Sequence, residues 1–133
     1  IINSATSKFI NITSNNVTLD CQNYIVDGND IASYGIYLYR TTLQNAKVNV
    51  INCRLNDWNS AGLYIQNAGN ISFANIISNS TPSSSSGVYL YNVYNSTFTN
   101  MSAKEAGYGV YLYNLTNNNF KNITTLNKKI DCM

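Results

Sequence analysis

The chain has 133 residues, a formal net charge of +2 and only 11% charged residues. That length fits one domain, and so sparse a charge excludes nucleic-acid binding, which needs a concentrated basic stripe. No apolar run approaches the ~20 residues that span a bilayer, so this chain holds no membrane span of the helical kind. Asparagine is the most unusual residue type, at 24, with 14 serines and 11 threonines. Composition this polar is compatible with disorder. Here 44% of the residues are hydrophobic and they recur in strict alternation, which argues for strands instead.

The chain starts Ile-Ile-Asn, without Met, and reads as a processed mature chain or a piece of a longer one. Residues 1–16 form a degenerate first coil, in which Lys8-Phe-Ile-Asn-Ile12 is an imperfect rung and Asn15-Asn16 a turn. Val17-Thr-Leu-Asp-Cys21 alternates apolar and polar and reads as a strand. Tyr24-Ile-Val-Asp-Gly28 is a second short strand, closed by a turn through Asp27, Gly28, Asn29 and Asp30.

Residues 34–126 are regular. One phrase occurs four times, as Gly35-Ile-Tyr-Leu-Tyr39, Gly62-Leu-Tyr-Ile-Gln66, Gly87-Val-Tyr-Leu-Tyr91 and Gly109-Val-Tyr-Leu-Tyr113. Its glycines lie 27, 25 and 22 residues apart, a period that marks a solenoid. A second strand follows each phrase, and these align on Asn52, Asn75, Asn100 and Asn122. Variable loops then run through Asp57-Trp58, through residues 83–86 and through Lys104-Glu105. A leucine-rich repeat shares the period but wants spaced leucines and helical returns, whereas these returns are short and polar. Identical phrases one full unit apart fit parallel stacking. The expectation is an all-β, single-stranded parallel β-helix of about five coils of 22–27 residues, one domain over 1–133.

Stacked coils place equivalent residues above one another. Alternation sends Ile36, Leu63, Val88 and Val110 inward, with Leu38, Ile65, Leu90 and Leu112. Val50, Phe73, Phe98 and Phe120 are expected to close the core. Asn52, Asn75, Asn100 and Asn122 are read as a structural asparagine ladder at a tight turn, amides bonding along the axis. Cys21 and Cys53 follow Asp20 and Asn52 at matching positions. They are either small buried hydrophobes or, if their coils adjoin, a disulfide. Tyr37, Tyr64, Tyr89 and Tyr111 form an outward column, and Tyr39, Gln66, Tyr91 and Tyr113 the next. The plain reading is a self-satisfied ladder that stabilises the sheet. The functional reading is an exposed aromatic contact strip, for a sugar chain or for another copy of the protein.

Catalytic material is scarce. There is no histidine, and the acids are Asp20, Asp27, Asp30, Asp57, Glu105 and Asp131, none on the tyrosine columns. No zinc motif exists. Asp27 and Asp30, with Asp20 nearby, are the one candidate for Ca²⁺, and turn chemistry explains them equally well. The expectation is no metal, no cofactor and no catalysis by this chain.

Asn16-Val-Thr-Leu-Asp-Cys21, Ile25-Val-Asp-Gly28, Tyr34-Gly-Ile-Tyr-Leu38 and Asn52-Cys53 together resemble the CASH-type repeats of carbohydrate-binding proteins and sugar hydrolases. NosD-like periplasmic proteins and many archaeal surface proteins also carry such repeats. The resemblance covers roughly residues 8–126 and implies a right-handed parallel β-helix on an exported, cell-surface protein. The acidic catalytic motifs of the hydrolase members have no match here. The copper association of NosD-like proteins finds only Met101, Met133 and the cysteines as soft ligands.

Eight Asn-x-Ser/Thr sequons begin at Asn11, Asn16, Asn70, Asn79, Asn95, Asn100, Asn114 and Asn122. Asn100 and Asn122 fall in the ladder and are expected to be inaccessible. Asn70, Asn79, Asn95 and Asn114 are expected in turns or loops, as glycosylation candidates. The functional expectation is a non-catalytic surface protein, structural or adhesive. It would associate with itself through uncapped coil ends and the tyrosine face. A carbohydrate-binding module comes next, and a polysaccharide-cleaving enzyme fragment third.

Overall fold

The computed structural model describes residues 2–3, 7–79, 84–104, 107–126 and 130–133. The early strands are β1 (Ile2–Asn3), β2 (Lys8–Asn11), β3 (Thr18–Asp20) and β4 (Ile25–Asp27). The regular ones are β5 (Tyr34–Asn45), β6 (Asn49–Asn56), β7 (Ala61–Gly69), β8 (Ser72–Asn79), β9 (Ser86–Tyr94), β10 (Thr97–Lys104), β11 (Tyr108–Thr116) and β12 (Asn119–Leu126). A last strand, β13 (Ile130–Cys132), pairs with β11. From β4 onward, successive strands alternate between two sheets. One runs β1-β4-β6-β8-β10-β12, with β3 also on β6, and the other runs β2-β5-β7-β9-β11-β13. Every strand pair is parallel and one coil apart, with a register shift only in the β5–β7 pair. This is a parallel β-solenoid of about five coils.

The core lies between the sheets as columns of like residues. Ile36, Leu63, Val88 and Val110 are buried in one column, and Leu38, Ile65 and Leu90 in the next. Val50, Phe73 and Phe98 are fully buried opposite them. The column ends differently from the sequence expectation. Phe120 stacks on Phe98 at 5.0 Å but is 36% exposed, and Leu112 is only half-buried. Among the described residues, β12 pairs only with β10, so nothing covers the outer face of Phe120.

The second strands are longer than the sequence suggested. They do not stop at the ladder asparagine but bend there and continue for another arm. Asn52, Asn75, Asn100 and Asn122 have φ of 58°, 56°, 53° and 55°. The pairing register passes over them, as from Thr99↔Lys121 to Met101↔Ile123. Asparagine tolerates this left-handed conformation better than other side chains, which explains its abundance. Each ladder amide donates to the one a coil away: Asn75 to Asn52 at 3.0 Å, Asn100 to Asn75 at 3.1 Å and Asn122 to Asn100 at 3.0 Å. Asp20 ends the row by accepting from Asn52 at 3.1 Å. Asn100 and Asn122 are exposed, which corrects the expectation that they are inaccessible. The bend turns the amides outward along the corner of the solenoid.

A second ladder bends the other sheet. Asn114 donates to Asn92, Asn92 to Asn67, and Asn67 to the carbonyl of Arg40. Arg40 occupies the ladder position of the first regular coil, where β5 carries a register shift between Tyr39 and Gln44. Its buried guanidinium donates to the carbonyls of Ile12 and Ser14 and to Asn15 Oδ1. Burial lowers its pKa, and these acceptors offset the cost of desolvating the cation. Arg40 thereby ties the degenerate first coil to the regular ones. Cys21 and Cys53 form a disulfide across the same junction, with Cα atoms 4.9 Å apart.

Two other assignments change. Trp58 lies, as expected, in the connection between β6 and β7, but not at the surface. It is fully buried, its ring lying against the space beside Gly28 and Gly35, and edge-on to Phe9 at 6.3 Å. Ser85 and Ser86, expected in a variable loop, are buried, and Ser86 opens β9.

Candidate functional site

The tyrosine face is built by the first strand of each coil. In β5, β7, β9 and β11 the register passes over the glycine, pairing residue 34 with 61 and then 36 with 63. That break in alternation puts the residue before the glycine beside the tyrosine after it. Tyr34 meets Tyr37 at 4.8 Å and Tyr64 at 5.1 Å. The glycines do not have positive φ. They are required by close approach. A Cβ on Gly35 would stand 2.5 Å from the Gly62 carbonyl, and one on Gly87 2.6 Å from the Ala103 side chain.

Tyr37, Tyr64, Tyr89 and Tyr111 stack at 5.0, 4.8 and 4.9 Å, with planes within 17°, 1° and 5° of parallel. Tyr91 and Tyr113 repeat this at 4.9 Å, and Tyr39 lies 6.0 Å from Tyr37. The spacing is that of paired strands, so the stack follows from the fold. Lys8 Nζ covers the outer ring, 4.3 Å above the Tyr37 centroid. The Tyr64 hydroxyl bonds to Gln66 Oε1. Rings stacked this way cover one another's faces and show ligands their edges and hydroxyls. Burial, then the phenols of Tyr89, Tyr37, Tyr34 and Tyr39, push the Tyr64 hydroxyl well above its ordinary pKa. Burial also raises Tyr37 and Tyr89, with neighbouring phenols adding to it. These three phenols are therefore uncharged at neutral pH.

The column before the glycines reads Tyr34, Ala61, Ser86, Tyr108 in register. Two small residues between two large ones leave a notch two coils wide. Its aromatic ends are about 14 Å apart, three coil rises. Tyr34 and Tyr108 stand across the stack, at 61° to Tyr64 and 70° to Tyr111, and Tyr108 is 37% exposed. The groove over Tyr64, Tyr89 and Tyr111 measures about 380 Å³ and is rimmed by Asn59, Ser60 and Ser84. That is within the range of small-molecule sites. Among the described residues its lining contains no acid and no cation. The strip expectation named the stacked rings and missed Tyr34 and Tyr108 as walls. Aligning the residue before each glycine would have found them.

The other candidates lie elsewhere. Asp20 Oδ1 accepts from the Gln22 amide, and Asp27 Oδ1 from the Asn29 amide, both as turn caps. Among the described residues no three His, Cys, Asp or Glu groups come close enough to hold a metal ion. Asn70 and Asn95 are exposed at turns. Asn79 and Asn114 lie in β8 and β11, and each donates its Nδ2 to a neighbouring asparagine.

A family model described as the right-handed beta helix region matches residues 34–132. The chain belongs to the right-handed beta-helix family. Searches of curated proteins and of solved structures returned no significant match. Within this β-helix the matched region contains the whole notch, from Tyr34 to Tyr108. No helix among the described residues is long and apolar enough to cross a membrane.

Proposed function

We propose that this β-helix is a non-catalytic carbohydrate-binding module of an exported protein, with the notch between Tyr34 and Tyr108 as its site. The observation that carries the reading is the interruption of an aromatic column by Ala61 and Ser86. It makes a concave groove with tyrosine ends and a rim of hydroxyls and amides, whose described residues carry no acid and no cation. Aromatic rings take the apolar C–H faces of a sugar, and the polar rim takes its hydroxyls. A neutral saccharide suits a groove whose described lining carries no acid and no cation. The resemblance to CASH-type repeats agrees with this ligand class. The Cys21–Cys53 disulfide supports export, because disulfides persist in oxidising compartments. Asp20 and Asp27 cap turns outside the groove, which favours binding over cleavage.

The test is a titration with neutral oligosaccharides. Tyr108→Ala should weaken binding at least tenfold while the thermal midpoint falls only slightly. A wild-type protein that binds no saccharide would remove this reading.

Self-association is the second reading, and the end coils favour it. Phe9, Ile10, Val17 and Leu19 at one end, and Phe120, Ile123 and Leu126 at the other, are core-type residues left part-exposed. Unpaired strand edges of this kind invite a second copy. Sedimentation over a hundredfold concentration range distinguishes a filament-former from a monomer.

A further inference from the structure

The eight sequons divide sharply by what their side-chain amides do. Asn79, Asn100, Asn114 and Asn122 use Nδ2 as a ladder donor, to Asn56, Asn75, Asn92 and Asn100 respectively. An N-linked glycan attaches at that atom, so occupancy there would break the ladder bond and force the sugar into the corner of the solenoid. Asn16, Asn70 and Asn95 form a different column, at the turn leading from the tyrosine sheet into β3, β8 and β10. All three have positive φ (58°, 53° and 48°) and are exposed. Their backbone amides secure the turn, bonding to the carbonyls of Ala46, Tyr94 and Thr116. No described residue hydrogen-bonds their Nδ2 atoms. The sequon partners Thr18 and Thr97 are exposed, and Ser72 is half-exposed. Two turn positions of this column, Lys47 and Asn117, share the positive φ but are not sequons. The left-handed turn therefore does not itself demand a sequon. Asn11 lies within β2 opposite Tyr37, where a glycan would cover the tyrosine column.

We propose that Asn16, Asn70 and Asn95 are N-glycan acceptor sites, a row of modifications along one turn edge, and that the ladder sequons stay unmodified. The donor is a glycosyl group carried on a lipid phosphate or pyrophosphate. The bond from sugar C1 to the phosphate oxygen breaks and a bond from C1 to Nδ2 forms. Nδ2 loses one proton, and the lipid phosphate departs with the bonding pair. The fold needs these asparagines for their backbone, while their amides project to solvent, so the glycan displaces no contact. The inference stands independently of what the tyrosine notch binds.

The experiment is secretion of the full chain from a cell with N-linked glycosylation, followed by intact mass before and after peptide-N-glycosidase treatment. The enzyme should remove up to three glycans and leave aspartate at 16, 70 and 95. Thr18→Ala, Ser72→Ala and Thr97→Ala keep each asparagine in its turn and should each remove one glycan without changing secretion. Absence of any mass shift, or glycans mapped in folded secreted protein to Asn79, Asn100, Asn114 or Asn122, would overturn the proposal.

Discussion

At the scale of the residue, asparagine does two separable jobs. Its backbone accepts the left-handed bend that turns each strand through a corner, and in the ladders its amide links coil to coil. Asn75 does both, with φ of 56°, a donor bond to Asn52 and an acceptor bond from Asn100. Two such bonds contribute about 0.5–1.5 kcal/mol each, and a β-branched residue in that conformation costs about 1–3 kcal/mol. Asn75→Val should therefore lower unfolding free energy by about 2–6 kcal/mol, read from the denaturant midpoint. An unchanged midpoint would mean that the ladder is decoration. The ladder in β6, β8, β10 and β12 was legible in the sequence because three of its asparagines fall 13 residues after the glycine of the phrase and the fourth, Asn52, falls 17 after it. The second ladder was not, since its first position is Arg40 and three extra residues follow before the register resumes. Trp58 escaped for a related reason. It occurs once, and reasoning from repeats assigns unrepeated residues to loops, whereas this ring fills the space that Gly28 and Gly35 leave.

At the scale of the element, each first strand is half core and half outward tyrosine face, and the glycine that breaks its alternation decides both. Ala in place of glycine normally gains about 0.4–1 kcal/mol through the unfolded chain. At Gly35 the new methyl would meet the Gly62 carbonyl at 2.5 Å and the Trp58 ring at 2.9 Å. Neither can withdraw easily, so Gly35→Ala should destabilise by about 1–3 kcal/mol, a sign opposite to the usual one. The tyrosine stack makes an alkaline prediction. Tyr64, Tyr37 and Tyr89 have raised folded-state pKa values. A raised pKa contributes stability that is complete below the unfolded value and is lost as pH climbs through the folded one. The thermal midpoint should thus be insensitive to these phenols below about pH 10 and fall above it. The inward and outward halves of the strand were legible from period-two alternation alone. The notch was not, because it lies one residue before the phrase, in positions that differ from coil to coil.

At the scale of the whole molecule, the solenoid is a stack in which each coil is held mainly by its neighbours. The degenerate first coil is the weakest link by sequence, yet Arg40 fastens it, and the Cys21–Cys53 disulfide fastens the segment that follows it to β6. The disulfide closes a loop with a sequence separation of 32, for which the chain-entropy relation gives about 3–4 kcal/mol. A Cys21→Ser, Cys53→Ser double variant should lose about that much, and reductant should have the same effect on the wild type and none on the variant. Fold class was legible because identical phrases one period apart leave few alternatives to parallel stacking. Function was less so, because the tyrosine repeat is as much a product of stacking as a sign of binding. What separates the two is the place where the repeat fails, at Ala61 and Ser86.

That failure can be reversed in one step. Ala61→Tyr extends the Tyr34 column and fills the notch while keeping the ladder geometry. The decisive measurement is calorimetric titration of wild type and this variant with the same neutral oligosaccharide. The notch reading predicts saturable binding by the wild type and at least a tenfold loss in the variant, at an unchanged or higher thermal midpoint. Equal binding by both proteins would contradict it.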